Sequence, residues 1–390
     1  MDSLAQPPVL IAVAASRDDF TAAVAGAIRD GTARVLAAFA AGLALIGLLS
    51  WRIARPLGVL TREAQAIRRF DLAAGVLDRP LADPRLEIEA VVGTSAGAMN
   101  AAVLMHGLAK GGAPAAREVL AGFCESLSAL ASASPLQPSL LDRLVGLGNM
   151  DFSPSWVAAD TLNKIFSPYE VNPANANPLL DLLLASVDFD ALRAVAAPPL
   201  FVGATNVLTG RLRVFERHEI TAEAVMAPAC LPTLFQAVRV GDAHYRDGGY
   251  SGNPPIFPLI YMGGGPDVVI AQLNPINIPH VPRDTRAFID RMDTLAFNSS
   301  LMREMRMLKF VTDLIDGGEL HRERSLRLNM HTIDAETDLA SFHASSKLNA
   351  DRDFMHRLRA LDEQKTEEFL AAHFEDIGVR SRTDIVSKFF

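Results

Sequence analysis

Apolar residues along the chain fall into one long unbroken run and two shorter periods, and these lay out the order of elements. Short apolar runs closed by turn residues predict strands at Ile88–Val92, Pro199–Asn206, Arg211–Phe215, Gln236–Val240, Ala243–Arg246, Asp267–Leu273 and Leu326–Ile333. Thr209-Gly210 and Gly241-Asp242 sit between neighbouring runs and make them hairpins, while Gly263-Gly264-Gly265 reads as a turn. Spacings of three and four predict helices at Ala98–Met105, Ala115–Leu130, Asp142–Leu147, Thr221–Met226 and Arg352–Phe374, with Pro228 and Pro232 breaking the fourth. A longer helix starts from a cap at Asp284-Thr285 and runs to Asp316, where Gly317-Gly318 stops it. Its face of Phe288, Met292 and Leu295 is expected in the core; Met302, Met305 and Met307 read either as core or as a lipid-facing patch. Ser153 to Pro178, rich in Pro, Asn and aromatics, is expected to be a long ordered loop with short helices. It would serve as a lid, as a pocket wall or as a plain surface connection.

The unbroken run is Val35–Trp51, seventeen residues without a charge, bracketed by Arg34 and Arg52. A spanning helix needs about 20 apolar residues, with a lower limit near 17, so two readings stand: a transmembrane helix and a buried, Ala-rich core helix. The basic flank Arg52 and Arg55 would place the C-terminal body in the cytoplasm. Residues 1–33 form an N-terminal segment of unassigned role. From Arg52, apolar positions Leu57, Leu60, Ala64, Ile67 and Leu72 make a helical stripe opened by Pro56. With its Arg55-Pro56-Leu57 and Phe70-Asp71-Leu72 ends, this stripe resembles the first helix of a HAMP linker. No second helix comes after it, so residues 34–77 are expected to anchor rather than to signal.

The chemistry centres on Gly93-Thr94-Ser95-Ala96-Gly97, a G-x-S-x-G pentapeptide between a strand and a helix. Gly93, Ala96 and Gly97 are expected to be small because strand and helix backbones pass close together. Ser95 is thereby lifted out of the sheet at the positive end of the following helix, where a developing oxyanion is stabilised. Farther along, Asp247-Gly248-Gly249 leaves the end of the second hairpin, and the two glycines allow another backbone to approach the aspartate. A net charge of −8 gives no basic footprint for nucleic acid. Cys124 and Cys230 show neither metal-ligand spacing nor a disulfide framework, which fits a reducing compartment, with both thiols buried. No Walker A, dinucleotide fingerprint or metal-ligand cluster appears, so neither cofactor nor metal is expected.

Together, Gly93–Gly97 and Asp247-Gly248-Gly249 resemble the paired motifs of the bacterial branch of patatin-like phospholipases, and Ser167–Pro173 and Leu273-Asn274-Pro275 add to the likeness. The resemblance spans residues 86–390. It implies a three-layer α/β/α sandwich, an acyl-ester hydrolase acting on lipid or other esters, Ser95 as nucleophile and Asp247 as base with no histidine between them. A Ser-Asp-His arrangement using His280 or His331 is the alternative. The expected location is the cytoplasm or the cytoplasmic face of the inner membrane, with membrane contact through residues 35–51.

One departure stands out. The family carries a Gly-rich loop before the elbow whose N–H groups make most of the oxyanion hole, and residues 1–92 contain no such loop. That leaves the N–H of Ala96 as the expected donor. Loss of one donor costs roughly 3–4 kcal/mol, so ester hydrolysis is expected to be poor unless another backbone contributes. A catalytically silent, membrane-tethered binding protein with a hydrolase-like body is the rival from a different class.

Overall fold

The computed structural model describes residues 81–390 apart from 82, 133–136, 146–147, 195–197, 231–234, 321–326, 340–341, 343–344, 347–348 and 350. The expectations for residues 1–33 and 34–77, for Pro232 and for the start of the strand at Leu326 therefore lie outside the described residues.

In chain order the strands are β1 (Val91–Gly93), β2 (Leu200–Asn206), β3 (Leu212–Glu216), β4 (Val238–Val240), β5 (Ala243–Arg246), β6 (Asp267–Gln272) and β7 (Asn329–Asp334). The helices are α1 (Ala96–Ser132), α2 (Leu140–Val145), α3 (Pro154–Ile165), α4 (Pro168–Val171), α5 (Pro178–Ser186), α6 (Phe189–Ala194), α7 (Ala222–Ala229) and α8 (Phe257–Met262). They continue with α9 (Thr285–Asp316), α10 (Glu336–Leu339), α11 (Arg352–His373) and α12 (Ile385–Phe389). The result is an α/β fold with a mixed central sheet. Its strand order is β1-β2-β5-β4, with β3 on the other edge of β2; β6 and β7 pair in parallel as a second, two-stranded sheet.

The pairing register of β2 matters most. β3 pairs antiparallel along Phe201 to Thr205. Because a strand has two edges, both other partners must share the opposite one. β1 pairs in parallel with Leu200 to Val202, and β5 pairs antiparallel with Thr205 and Asn206. β1 and β5 therefore arrive head to head along one edge, and the residues just after them meet beside Gly203.

Alternation along β2 divides its two faces. Leu200, Val202 and Ala204 enter the main core with Met99, Val103 and Leu104 of α1 and Val225 and Met226 of α7. On the other face a Cβ at Gly203 would lie 3.1 Å from both Pro255 and the Thr94 hydroxyl, so the segment after β5 packs directly on the strand. A second core joins Val268 and Ile270 of β6 and Met330 of β7 to Leu301 and Met305 of α9 and Phe389 of α12.

α1 holds the two expected helices, joined at Gly111 and Gly112, which leave helical geometry just before Pro114. Other elements differ from the hydropathy reading. The segment from Ser153 to Pro178 is more helical than expected. Pro154, Pro168 and Pro178 each occupy a first-turn position, where the missing N–H costs nothing. The Ser153 hydroxyl accepts from Trp156 N–H at 3.5 Å and the Asn177 side chain from Leu180 N–H at 3.3 Å. Pro228 does not stop α7 at once but sits in its last turn. The clearest correction concerns α9, whose Phe288, Met292 and Leu295 are exposed rather than core. Met302 packs against the second core and Met305 is buried in it, whereas Met307 is exposed, so the three methionines form no common patch.

Candidate active site

Ser95 owes its position to a backbone that few residues adopt. Its φ is +56°, left-handed for a residue with a side chain, at a cost of roughly 1–3 kcal/mol. Gly97 N–H donates to Thr94 C=O and Ala98 N–H to Ser95 C=O, both at 3.0 Å, so the turn closes on itself and the helix begins at Ala96. A Cβ on Gly93 would come within 2.5 Å of the Gly97 carbonyl, which explains the first glycine. The second has a different reason. A Cβ on Gly97 would meet nothing within 4 Å, so its lack of a side chain keeps the space over the helix start clear rather than permitting close packing.

Asp247 is fixed from several directions. Its N–H donates to Cys230 C=O at 3.2 Å, and its C=O accepts from the Thr205 hydroxyl at 2.8 Å. Carboxylate Oδ1 accepts the Gly249 N–H at 2.8 Å. The other carboxylate oxygen, Oδ2, accepts the Ser95 hydroxyl at 3.0 Å. Both glycines after it are required by close approach. A Cβ at Gly248 would collide with the Gly203 carbonyl, and one at Gly249 with the Phe297 ring. Asp247 has no exposed surface and Ser95 retains 8 %, so the pair is shielded from bulk water. The thiol of Cys230, next to this cluster, donates to Gln236 C=O at 2.8 Å, and burial pushes it up to about 12.

A hydroxyl held on a strained turn, bonded to a buried carboxylate, beside an N–H without an acceptor among the described residues, can support acyl transfer. That N–H belongs to Ala96, at the start of a long helix. Among the described residues no cluster of His, Cys, Asp and Glu could hold a metal ion.

Comparison with known families settles what kind of body carries this pair: the match is to patatin-like phospholipases, over residues 69–260. This stretch is a patatin-like phospholipase domain. No curated protein matches the chain. The family is one of lipid acyl hydrolases, and the matched stretch takes in the elbow, β2 to β5 and the Asp247 turn. It begins inside the stretch that resembles a HAMP helix and ends in α8, so α9 and every later element lie outside the matched range.

The structure brings together the residues of the two motifs: Gly93, Ser95, Ala96, Gly97, Asp247, Gly248 and Gly249. The two histidines of the alternative lie elsewhere. His331 is fully buried on β7, with Nε2 2.9 Å from an Asp267 carboxylate oxygen, and His280 is exposed before α9. His244 is exposed while Asp247 is buried, as strand alternation predicts. Two positions escaped sequence reasoning. Thr94 stands inside the elbow, yet its hydroxyl donates to Gly252 C=O at 3.0 Å and ties the two motifs together. Thr205, on β2, holds the Asp247 carbonyl, and no local pattern marks it.

Proposed function

We propose that the chain hydrolyses carboxylic esters, lipid esters among them, through a Ser95–Asp247 dyad. The observation that carries this reading is the hydrogen bond from a hydroxyl at φ +56° to a fully buried carboxylate. Ser95 Oγ attacks the ester carbonyl carbon while its proton passes to Asp247. The resulting oxyanion lies against the Ala96 N–H at the helix start. Collapse expels the alcohol, which takes the proton from Asp247, and leaves an acyl group on Ser95. Water then attacks the acyl carbon, giving its proton to Asp247; release of the carboxylic acid returns a proton to Ser95.

A carboxylate of ordinary pKa about 4 is a weak base for an alkanol, so geometry and oxyanion stabilisation must carry much of the rate. With Ala96 as the expected hole donor and no Gly-rich loop in residues 1–92, turnover is expected to be slow. That same lack favours a second reading, a silent binding protein on a hydrolase body.

Labelling with a fluorophosphonate and hydrolysis of a short-chain nitrophenyl ester decide between the two. Labelling lost in Ser95→Ala and hydrolysis lost in Asp247→Ala support the enzyme. Equal labelling of parent and Ser95→Ala removes the nucleophile, and a parent without hydrolysis leaves the binding protein. None of the described helices is long and apolar enough to cross a membrane. Attachment through residues 35–51 to a cytoplasmic membrane face is part of the proposal; recovery of the full chain in the soluble fraction after lysis would contradict it.

A further inference from the structure

The segment just after Asp247 is covered by α9, a helix outside the matched range. On α9, Phe297, Ser300 and Glu304 stand at spacings of three and four and so share one face. Each meets the next stretch of that segment in turn. The Phe297 ring fills the space where Gly249 has no side chain and meets the Tyr250 ring at a tilt of 58°, with centroids 4.9 Å apart. The Ser300 hydroxyl accepts the Asn253 N–H at 3.2 Å. Glu304 Oε2 accepts the Ile256 N–H at 2.7 Å, and the backbone N–H groups of Ile256 and Phe257 both favour its charged form.

A carboxylate is an expensive way to fill such a place. Burial pushes the Glu304 carboxyl up, against the pull of the two N–H groups. Packing alone would be served by an apolar residue, as Leu301 and Met305 serve the core beside it. What Glu304 adds is an acceptor for the Ile256 N–H, which would otherwise be buried unpaired.

The direction of the Asp247 carboxylate depends on where Gly249 sits, because the Gly249 N–H holds Oδ1 while Oδ2 faces Ser95. With two glycines in sequence, local backbone preference does little to fix that point. We propose that Phe297, Ser300 and Glu304 are positioning residues, a row on α9 that aims Asp247 at Ser95, with Glu304 as its anchor. The proposal rests on the Ser95–Asp247 dyad.

The test measures the fluorophosphonate labelling rate of the full chain together with amide exchange over residues 247–257. Glu304→Ala is expected to slow labelling by about tenfold or more, since small misplacements of reacting groups cost on that scale. It is also expected to speed exchange locally in 247–257. Glu304→Gln, which keeps an acceptor, restores most of the rate. Ser300→Ala shifts both readouts the same way by less, and Phe310→Ala, at an exposed site on the same helix, shifts neither.

Parent-like labelling in Glu304→Ala, with labelling still lost in Ser95→Ala, overturns the positioning role and leaves the dyad standing. Slower labelling with exchange raised throughout the chain overturns it as well, because Glu304 would then act only on stability. If Ser95→Ala labels like the parent, the dyad reading fails, and unchanged local exchange in Glu304→Ala then overturns the anchor too.

Discussion

The turn that carries Ser95 and the turn that carries Asp247 are built in opposite ways. The first is nearly self-sufficient. Its backbone hydrogen bonds run between Thr94, Ser95, Gly97 and Ala98, with the Thr94 hydroxyl reaching out to Gly252, and its one demanding backbone angle belongs to Ser95 itself. The second is held by remote parts of the chain: Cys230, Thr205, Gly203 and Phe297 each touch the Asp247–Gly249 stretch. The strain of a dyad is thus stored on one side and the dependence on tertiary structure on the other.

Three tests sharpen this contrast, and their expected effects differ in size. Gly248→Ala drives a side chain into the backbone of β2 at Gly203, which has nowhere to move within its sheet. We expect it to cost about 3 kcal/mol, at the upper end of overpacking, read as a fall in the denaturant midpoint at unchanged slope. An effect under half of that would mean the turn can move off β2. Comparison of Ser95→Gly with Ser95→Ala removes the hydroxyl from both and isolates the left-handed backbone. The glycine variant should be the more stable by about 1 kcal/mol, and equal midpoints would deny the strain. Smallest is Gly97→Ala, where a methyl enters open space in a helical first turn. Its stability should change by less than about 1 kcal/mol, in the favourable direction, as thermal melts would record.

The same contrast explains what could be read from the chain without coordinates. The Ser95 turn was legible because its causes are local, a strand, two glycines and a helix in sequence. Asp247 was legible only through the two glycines beside it, and their need for space came from Gly203 and Phe297 at a distance. Thr205, Ser300 and Glu304 left no trace, because an isolated hydroxyl or carboxylate on a strand or helix looks the same wherever it points.

The errors have physical reasons as well. Phe288, Met292 and Leu295 have the spacing of a buried face, and spacing reveals a stripe without revealing whether anything covers it. Apolar burial on α9 begins at Phe297; before it, Arg291 reaches the Pro275 and Ile276 carbonyls while the apolar stripe stays exposed. Pro154, Pro168 and Pro178 suggested loops because proline breaks helices from within, but behind a Ser or Asn cap it begins them.

Cys230 lends the second turn a clock of its own. Its sulfur is sealed from solvent and keeps its proton at any ordinary pH, while its carbonyl receives the Asp247 amide. An alkylating reagent reaches that sulfur only when the neighbourhood of the aspartate comes apart. Peptide mapping that separates Cys230 from Cys124, also buried, would therefore time those openings directly, with no substrate in the tube.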